Sequence, residues 1–315
     1  METKHIIAAT MIKGIGNAFI KKNLPIVKTS TDLLDFLNRC NIECGAGEDI
    51  EGYMRAAELI VQDCEDNNYC VIDITSSKYP TLLIAVSDAP AVLYLKGNVS
   101  LLSSAIAIIG TRHSTSLGNR IAERLGAHFS KRYAICNGLV EGIDEHAIYV
   151  GDRILPNVIG VISAGLNYSD TCSKVHAKII DDVLNAGGLI ISEFPPQQKE
   201  EQFSGSKVSR IQAGLSQGLI LVQSTIDGGS KYTVKAFSKL GRPLGVINFP
   251  TNEEFSSDSF SANRLIISKG DKGVAEFIGQ KTVSNLKIKE IIPIDSQKDY
   301  DRFEKAMLPS SDALW

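Results

Sequence analysis

Short apolar runs recur along the chain from about residue 105, and a helix-length stretch separates most of them. Each run is four to six residues long, rich in leucine or β-branched side chains, and bounded by glycine, proline or polar residues. The predicted strands begin near residues 106, 133, 158, 188, 218 and 244. The predicted helices cover 116–131, 173–186, 208–216 and 230–240. Uniformly apolar short strands that alternate with helices predict an α/β fold with a doubly wound, mostly parallel sheet.

The first 75 residues predict a helical N-terminal domain. Thr31 and Asp32 offer N-caps before a segment with helical periodicity, and apolar residues recur three and four positions apart from Ile50 to Cys64. Residues Lys13–Asn17 contain a Gly-x-Gly turn like that of a helix-hairpin-helix, which meets DNA phosphates, but a single copy without a second half favours a plain inter-helix turn. We expect this domain over 1–75, the sheet domain over 76–280 and a polar C-terminal tail over 281–315.

The amino-acid composition limits the classes of protein to which the chain can belong. The 315 residues are 43% hydrophobic and 22% charged, as in globular proteins, and the net charge of -3 excludes a chain coated in positive charge but not a local basic groove. The six cysteines lack CxxC spacing, which favours free thiols in a reducing cytosol over zinc or disulfides. No apolar run approaches the roughly 18 residues of a membrane helix, and no signal peptide is recognised. We expect a cytoplasmic protein without membrane contact.

Polar and small residues follow several predicted strands, where ligands bind in open α/β sheets. The first such segment is Gly110-Thr111-Arg112-His113-Ser114. Glycine allows close backbone approach, and arginine contacts phosphate with two parallel bonds. The segment is neither a GxGxxG nor a Walker motif. It indicates a phosphate site, while a tight strand-to-helix turn accounts for the same residues.

Four further segments share this placement. Residues 137–144 hold Asn137 and Gly138, and Asp144 there is predicted in the first turn of a helix, in a structural role rather than in acid–base catalysis. The segment after Ser192-Glu193 combines an aromatic residue with two cations, a set suited to base stacking and phosphate contact, unless it is a mobile surface loop. The last two segments are Asp227–Lys231 and Asn263–Gly270.

The order of these segments resembles the DNA-processing protein A (DprA/Smf) family over some 190 residues, about 78 to 270. Lys78-Tyr-Pro-Thr-Leu and Asp88-Ala-Pro-Ala-Val-Leu-Tyr-Leu-Lys-Gly97 match its YPxxL…DxPxxLYxxG lead-in, which simple phosphate-loop proteins do not carry. The other matches are Gly110-Thr-Arg112 with GSR, Asn137–Asp144 with SGLAxGID, Ser192-Glu193 with SE, Arg210–Ser216 with RIIxGLS, Gly229-Ser230 and Thr233 with SGSLxTA, and Asn263–Ile266 and Gly270 with NxLIxxGA.

The resemblance implies a Rossmann-like domain that binds single-stranded DNA in a basic pocket, forms a homodimer and helps to load a RecA-type recombinase. It implies no cofactor, no metal and no known reaction. Arg112 corresponds to the GSR arginine that holds a phosphate, and Arg210 to the last arginine of the family's RNR, with Phe203 as the phenylalanine before it. The predicted DNA- or phosphate-binding residues are Gly110, Thr111, Arg112, Ser114, Asn137, Gly138, Phe203, Lys207, Arg210, Gly229, Ser230 and Lys231.

Departures from the family pattern indicate a divergent member. The RNR motif reads Val208-Ser209-Arg210, and Lys231 replaces the leucine of SGSL. We expect no winged-helix-like domain after residue 280.

The sequence and the resemblance lead to three hypotheses about function. The first is a single-stranded-DNA-binding recombination mediator, acting in recombination or DNA uptake, whose dimer uses residues around 230–270. The second is a regulatory or antitoxin-type component of anti-phage defence, which senses DNA or a nucleotide or restrains a toxin or effector protein. The third, a LOG-like phosphoribohydrolase, is disfavoured because Lys235 stands where that family has its working glutamate. We therefore expect no catalysis.

Overall fold

The computed structural model of the chain describes residues 1–42, 49–200 and 204–308. The strands of this part of the chain are β1 (Cys70–Asp73), β2 (Val92–Gly97), β3 (Ala105–Ile109), β4 (Ala134–Asn137), β5 (Tyr149–Val150), β6 (Arg153–Ile154), β7 (Val158–Val161), β8 (Leu189–Ser192), β9 (Leu219–Leu221), β10 (Leu244–Ile247) and β11 (Ile291–Ile294). Within the described residues, nine of them form one sheet in the order β1-β2-β8-β7-β4-β3-β9-β10-β11, and β5 and β6 form a separate hairpin.

Helices cover both faces of the sheet and make up most of the N-terminal region. They are α1 (Thr3–Met11), α2 (Asn17–Lys22), α3 (Leu24–Thr29), α4 (Leu33–Arg39), α5 (Ile50–Asp66), α6 (Ser116–Phe129), α7 (Ile143–His146), α8 (Tyr168–Thr171), α9 (Lys174–Asn185), α10 (Ser204–Leu215), α11 (Lys231–Phe237), α12 (Ser261–Lys269), α13 (Asp271–Phe277) and α14 (Lys298–Met307).

The predicted parallel sheet is confirmed. Strands β8, β7, β4, β3, β9, β10 and β11 pair in parallel, and six of them begin within a residue or so of the predicted positions. Every residue of β3 is buried, as the uniformly apolar run requires of a strand with helices on both sides. The four predicted helices correspond to α6, α9, α10 and α11, although α10 begins four residues earlier than expected.

The sheet also extends beyond the predicted limits of the central domain. At one side, β1 pairs antiparallel with β2, and β2 pairs antiparallel with β8, so the sheet begins at Cys70 rather than after residue 76. Only a one-turn 3-10 helix, Leu83–Ala85, separates β1 from β2, and the alternation of strands with full-length helices used for prediction therefore missed them.

The expected polar tail over 281–315 is wrong for much of its length. Residues 291–294 form β11, which pairs in parallel with β10, and α14 folds back onto the sheet. Phe303 of α14 is fully buried beside Gly218 and Gly245, positions where a larger residue would collide with its ring. The hydrophobic pattern of this region was too weak to predict its elements. It contains one short strand between polar segments and one helix with a single buried face. Residues 309–315 lie outside the described residues.

The helical N-terminal region is confirmed and packs directly on the sheet. Asp32 caps α4 by accepting the Asp35 N–H at 2.9 Å, as predicted, and α1 packs against α5 and β1. The Gly-x-Gly turn links α1 to α2, and Asn17 follows it. The Asn17 side chain donates to Glu193 at 3.0 Å and accepts the Ala91 N–H at 2.9 Å. These bonds fix α2 at the edge of the sheet where β8 ends.

None of the helices in the described part of the chain is both long and apolar enough to cross a bilayer.

Candidate functional site

The loops that carry the predicted site residues meet at one edge of the sheet. Because β8, β7, β4, β3 and β9 are neighbouring parallel strands, their carboxyl ends and the loops that follow them lie side by side. From β3 the chain adds β4, β7 and β8 on one side and then crosses back to β9 on the other. The space between the ends of β3 and β9 is therefore a topological switch point, the usual ligand position in such sheets.

The loop after β3 presents Arg112 from a rigid support. Thr111 donates its N–H to the carbonyl oxygen of Gln223, which follows β9, at 2.8 Å. A Cβ on Gly110 would lie 2.6 Å from Ile143, so the backbone here approaches its neighbours too closely for a side chain. Arg112 itself is exposed and makes no ion pair with any described residue. Ser114 lies half-buried in the same loop.

Gln223 also holds the far end of this loop. Its side-chain oxygen accepts the Thr115 N–H at 3.0 Å, and Thr115 caps α6 by accepting the Gly118 N–H at 3.2 Å. Our sequence analysis missed Gln223. The available signal was an amide residue at the end of the apolar run Gly218–Val222, at the position that lies beside Thr111 in the parallel register.

The loop after β4 is held together by its own buried polar groups. Asn137, which is fully buried, donates to the Asp144 carbonyl at 2.8 Å and accepts the Leu139 N–H at 3.0 Å. Both ends of its amide are thus bonded to backbone. Asn137 shapes the turn, and the structure does not place it where a ligand could reach it.

Asp144 ties this loop to the Arg112 loop. It lies in the first turn of α7, as predicted, and its Oδ2 accepts the Gly138 N–H at 2.9 Å. Burial raises the pKa of Asp144 to about 7, although the N–H groups of Gly138 and Gly110 and the positive charge of Arg112 oppose that rise. Two N–H groups at strand ends thus point at Asp144 rather than outward. Arg112, and not these amides, is the donor offered to an anion.

Arg210 is placed differently from the prediction. It lies inside α10 rather than at a helix start, and its guanidinium bonds Glu193 through two N–H groups at 2.7 and 2.6 Å. Its Nε also lies 2.8 Å from the Asp88 carboxylate. The group is almost wholly buried between carboxylates, so the structure gives Arg210 a structural role and leaves no free face for a phosphate.

The neighbouring cation makes no ion pair with any residue that the structure describes. Lys207, one turn earlier on α10, is exposed, and its Nζ lies 5.5 Å from the centre of the Phe194 ring. Lys207 is thus available near the end of β8. Phe203, the predicted stacking residue, lies outside the described residues.

The loop after β9 completes the site. Gly229 is exposed with open space around its Cα, whereas Ser230 is buried and bonds the Ser224 hydroxyl at 2.8 Å. Lys231 is half-buried at the start of α11, with its Nζ 5.8 Å from the centre of the Tyr232 ring. Asn263, buried on α12, accepts the Ser224 N–H at 3.1 Å and so holds the base of this loop.

The site therefore consists of three available cations on a rigid edge: Arg112 after β3, Lys207 beyond β8 and Lys231 after β9. The predicted residues Asn137, Arg210 and Ser230 build the scaffold beneath them. Nowhere in the described part of the chain do three or more His, Cys, Asp or Glu side chains cluster in a way that could hold a metal ion.

Comparisons with known proteins match this architecture. Residues 70–281, about two thirds of the chain, match the family described as DNA recombination-mediator protein A. The chain is 28% identical to DNA processing protein DprA of Bacillus subtilis over 70% of its own length and 74% of that protein. It is 30% identical to protein Smf of Escherichia coli over 59% of its length, a match that spans half of that relative.

Solved structures agree. The fold resembles DNA processing protein A of Streptococcus pneumoniae with a TM-score of 0.65 at 21% identity, covering 96% of this chain and 98% of the other. It also resembles DNA processing protein A of Helicobacter pylori, in a structure that addresses the single-stranded DNA binding mode of that protein. The TM-score there is 0.55 at 26% identity, over 64% of this chain and 88% of the other. Because the family match spans residues 70–281, which include most strands of the sheet, the chain belongs to the DNA recombination-mediator protein A (DprA/Smf) family.

Proposed function

We propose that this protein binds single-stranded DNA along the carboxyl edge of its sheet and acts in DNA processing during recombination. The observation that carries the proposal is Arg112: an exposed arginine without an ion pair among the described residues, fixed at the topological switch point by loops on both sides. A guanidinium held in this way suits a phosphate group. The relatives support nucleic acid as its source, since they are DNA processing proteins and the H. pylori structure concerns single-stranded DNA.

The geometry favours a strand that crosses the edge rather than a single phosphate. Adjacent strands lie about 4.8 Å apart, so the four steps from β9 to β8 separate the strand ends near Lys231 and Lys207 by about 19 Å. Arg112 lies between them, one strand from β9. Three cations spread over this distance fit a nucleic-acid backbone better than one mononucleotide.

The chain's net charge is consistent with a DNA-binding site that covers only a small part of the surface. At -3 overall, the protein as a whole does not attract DNA, so binding depends on a few contacts and is sensitive to salt. Each phosphate neutralised on a single strand contributes about 0.7 to the slope of log affinity against log salt. Three available cations therefore set a slope of about 2 for the edge site.

We further propose that the protein forms a homodimer and delivers its bound strand to a RecA-type recombinase. The support for both is the membership of the family and the resemblance drawn from its motifs. The predicted contribution of residues 230–270 to the dimer covers α11, β10 and α12. Light scattering tests it: a stable monomer of 34.1 kDa at micromolar concentration contradicts the dimer.

The test of the central proposal is a titration of the purified protein against labelled single-stranded DNA, double-stranded DNA and free nucleotides across salt concentrations. We expect tightest binding to single-stranded DNA, with a linear salt dependence. Binding to nucleotides alone would overturn the proposal and favour a nucleotide-sensing regulator.

A further inference from the structure

A gap separates two of the cations of the edge site. Arg112 follows β3 and Lys207 lies beyond β8, and the ends of β4 and β7 lie between them. Adjacent strands are about 4.8 Å apart, so the three steps from β3 to β8 place their ends roughly 14 Å apart. A DNA backbone that contacts both cations must therefore pass over the end of β7.

Two polar side chains lie at the end of β7. Ser163 follows the strand by two residues, is buried, and donates its hydroxyl hydrogen to Oε1 of Glu200. His176 lies in the first turn of α9, and its Nε2 is buried without a hydrogen-bond partner among the described residues. A buried polar atom of this kind costs free energy until a ligand contacts it.

His176 lies near both an anion and a cation of this edge. Burial lowers the pKa of His176, the charge of Glu200 and the Gly138 backbone oppose that change, and the charge of Arg112 adds to it. The imidazole ring is therefore close enough to feel the two opposite charges. This places the end of β7 next to the phosphate position assigned to Arg112.

The segment that carries Glu200 packs against the loop after β7. The Gly165 N–H donates to the Gln198 carbonyl at 2.7 Å, and the Glu200 N–H donates to the Thr171 carbonyl at 3.4 Å. A Cβ on Gly165 would lie 2.1 Å from the Pro195 carbonyl oxygen, so the two backbones are in close contact. These contacts fix the Glu200 carboxylate beside Ser163.

The Glu200 carboxylate stands where the DNA backbone has to pass. Glu200 is exposed and makes no ion pair with any described residue. Carboxylate and phosphate oxygens accept the same kinds of hydrogen bond, so donors that hold one can hold the other. The two anions also repel each other, so they cannot share the position at low cost.

Resting on the proposed function, we propose that Ser163 and His176 form a phosphate contact in the gap. The Glu200 carboxylate occupies this contact in the free protein, and a bound DNA strand displaces it. The Ser163 hydroxyl then donates to a phosphate oxygen instead of the carboxylate, and His176 donates from Nε2 to the same phosphate. Glu200 thus lowers the apparent affinity for DNA in proportion to the fraction of molecules in which the contact is open.

The experiment measures binding of a labelled oligothymidylate of about 15 nucleotides by the full chain. Glu200→Gln removes the charge but keeps an oxygen that can accept the Ser163 hydroxyl. Because a neutral acceptor is held less strongly than a charged one, this variant should bind about 5-fold more tightly than the parent. In a Ser163→Ala background the gain should fall to that of the control described next.

The matched control is Glu141→Gln, which removes the same charge from an exposed residue in the loop after β4. Any gain from this control is a long-range effect, which salt screens as the Debye length falls from about 10 Å at ~0.1 M to about 5 Å at ~0.4 M. The gain from Glu200→Gln comes from a direct contact and should persist at ~0.4 M salt.

His176→Leu tests the second donor separately. It should weaken binding about 5-fold, because one hydrogen bond to the phosphate is lost. Its thermal unfolding midpoint should equal or exceed that of the parent, because an apolar side chain replaces a buried nitrogen without a partner. Weaker binding together with a lower midpoint would give His176 a structural role instead.

The outcomes separate this inference from the proposed function. If Glu200→Gln equals Glu141→Gln at ~0.4 M salt while Arg112→Ala weakens binding, the displacement is refuted and the edge site stands. An undiminished gain in the Ser163→Ala background also refutes it, because the carboxylate would then act without that contact. If neither the parent nor Glu200→Gln binds the strand, the proposed function fails, and this inference fails with it.

Discussion

Arg210 and Glu193 form a buried ion pair in which two guanidinium N–H groups reach the two carboxylate oxygens at 2.7 and 2.6 Å. The pair joins α10 to the end of β8, and Asn17 bonds the same carboxylate from the N-terminal region. It therefore holds together three parts of the chain that are distant in sequence.

Removing one member should destabilise the fold. Arg210→Ala leaves Glu193 buried without its partner, a change that costs about 3–5 kcal/mol. The control is Arg302→Ala, whose pair with Glu290 is exposed and is worth about 0–1 kcal/mol. Urea unfolding measures both, and equal losses would contradict the structural role of Arg210.

Unlike Arg210→Ala, the substitution Arg112→Ala should weaken DNA binding without destabilising the fold. Because Arg112 is exposed and unpaired among the described residues, its loss should leave the unfolding free energy within about 0.5 kcal/mol of the parent. Single-stranded DNA binding should weaken for all sequences, with the salt slope lower by about 0.7. Anisotropy titrations over a salt series measure this, with Lys131→Gln as the control. An unchanged slope would remove Arg112 from the phosphate contacts.

The buried carboxyl of Asp144 should make stability depend on pH. Its pKa is raised to about 7 in the folded protein and is about 3.9 in an unfolded chain. Between these values the folded state keeps a proton that the unfolded state has released, so this group's contribution lowers stability as pH rises from about 4 to about 7.

The variant Asp144→Asn isolates that contribution, since the amide oxygen can still accept the Gly138 N–H. The stability of the parent minus that of the variant should fall with rising pH, by at most about 1.4 kcal/mol per unit. Urea unfolding at several pH values provides the curve. A difference that rises with pH would show that the N–H donors outweigh the cost of burial.

Gly142 should be irreplaceable in the turn that supports Arg112. Its φ is +85°, and an added Cβ would lie 2.5 Å from the carbonyl oxygens of both Thr111 and Arg112. Gly142→Ala should therefore destabilise the protein and weaken DNA binding by moving the Arg112 loop.

Gly151 provides the comparison for this substitution. It also has a positive φ, +58°, but open space around its Cα, so Gly151→Ala should cost only about 1–2 kcal/mol of backbone strain. Equal effects on DNA binding from the two substitutions would show that crowding at Gly142 is unimportant.

The elements that sequence reasoning predicted well are those with strong local patterns. The all-apolar β3 and the Asp32 cap of α4 are read from adjacent residues. The roles of Arg210 and Asn137 were not predictable in this way. Asp88, a partner of Arg210, lies 122 positions away, and the buried amide of Asn137 looks in sequence like an exposed turn residue. Charge and polarity identify candidate binding residues, but only tertiary contacts show which of these residues are already hydrogen-bonded within the protein.

Pro293 limits the hydrogen bonds that one edge strand of the sheet can offer to another chain. It lies in β11, the last strand of the order, where it faces Val246 of β10 in the parallel register. Proline has no N–H, so its place on a border strand interrupts the row of donors that another chain would need to add a strand there. Growth of the sheet from molecule to molecule along this edge is thus disfavoured, which protects the β11 side of the sheet against edge-to-edge aggregation.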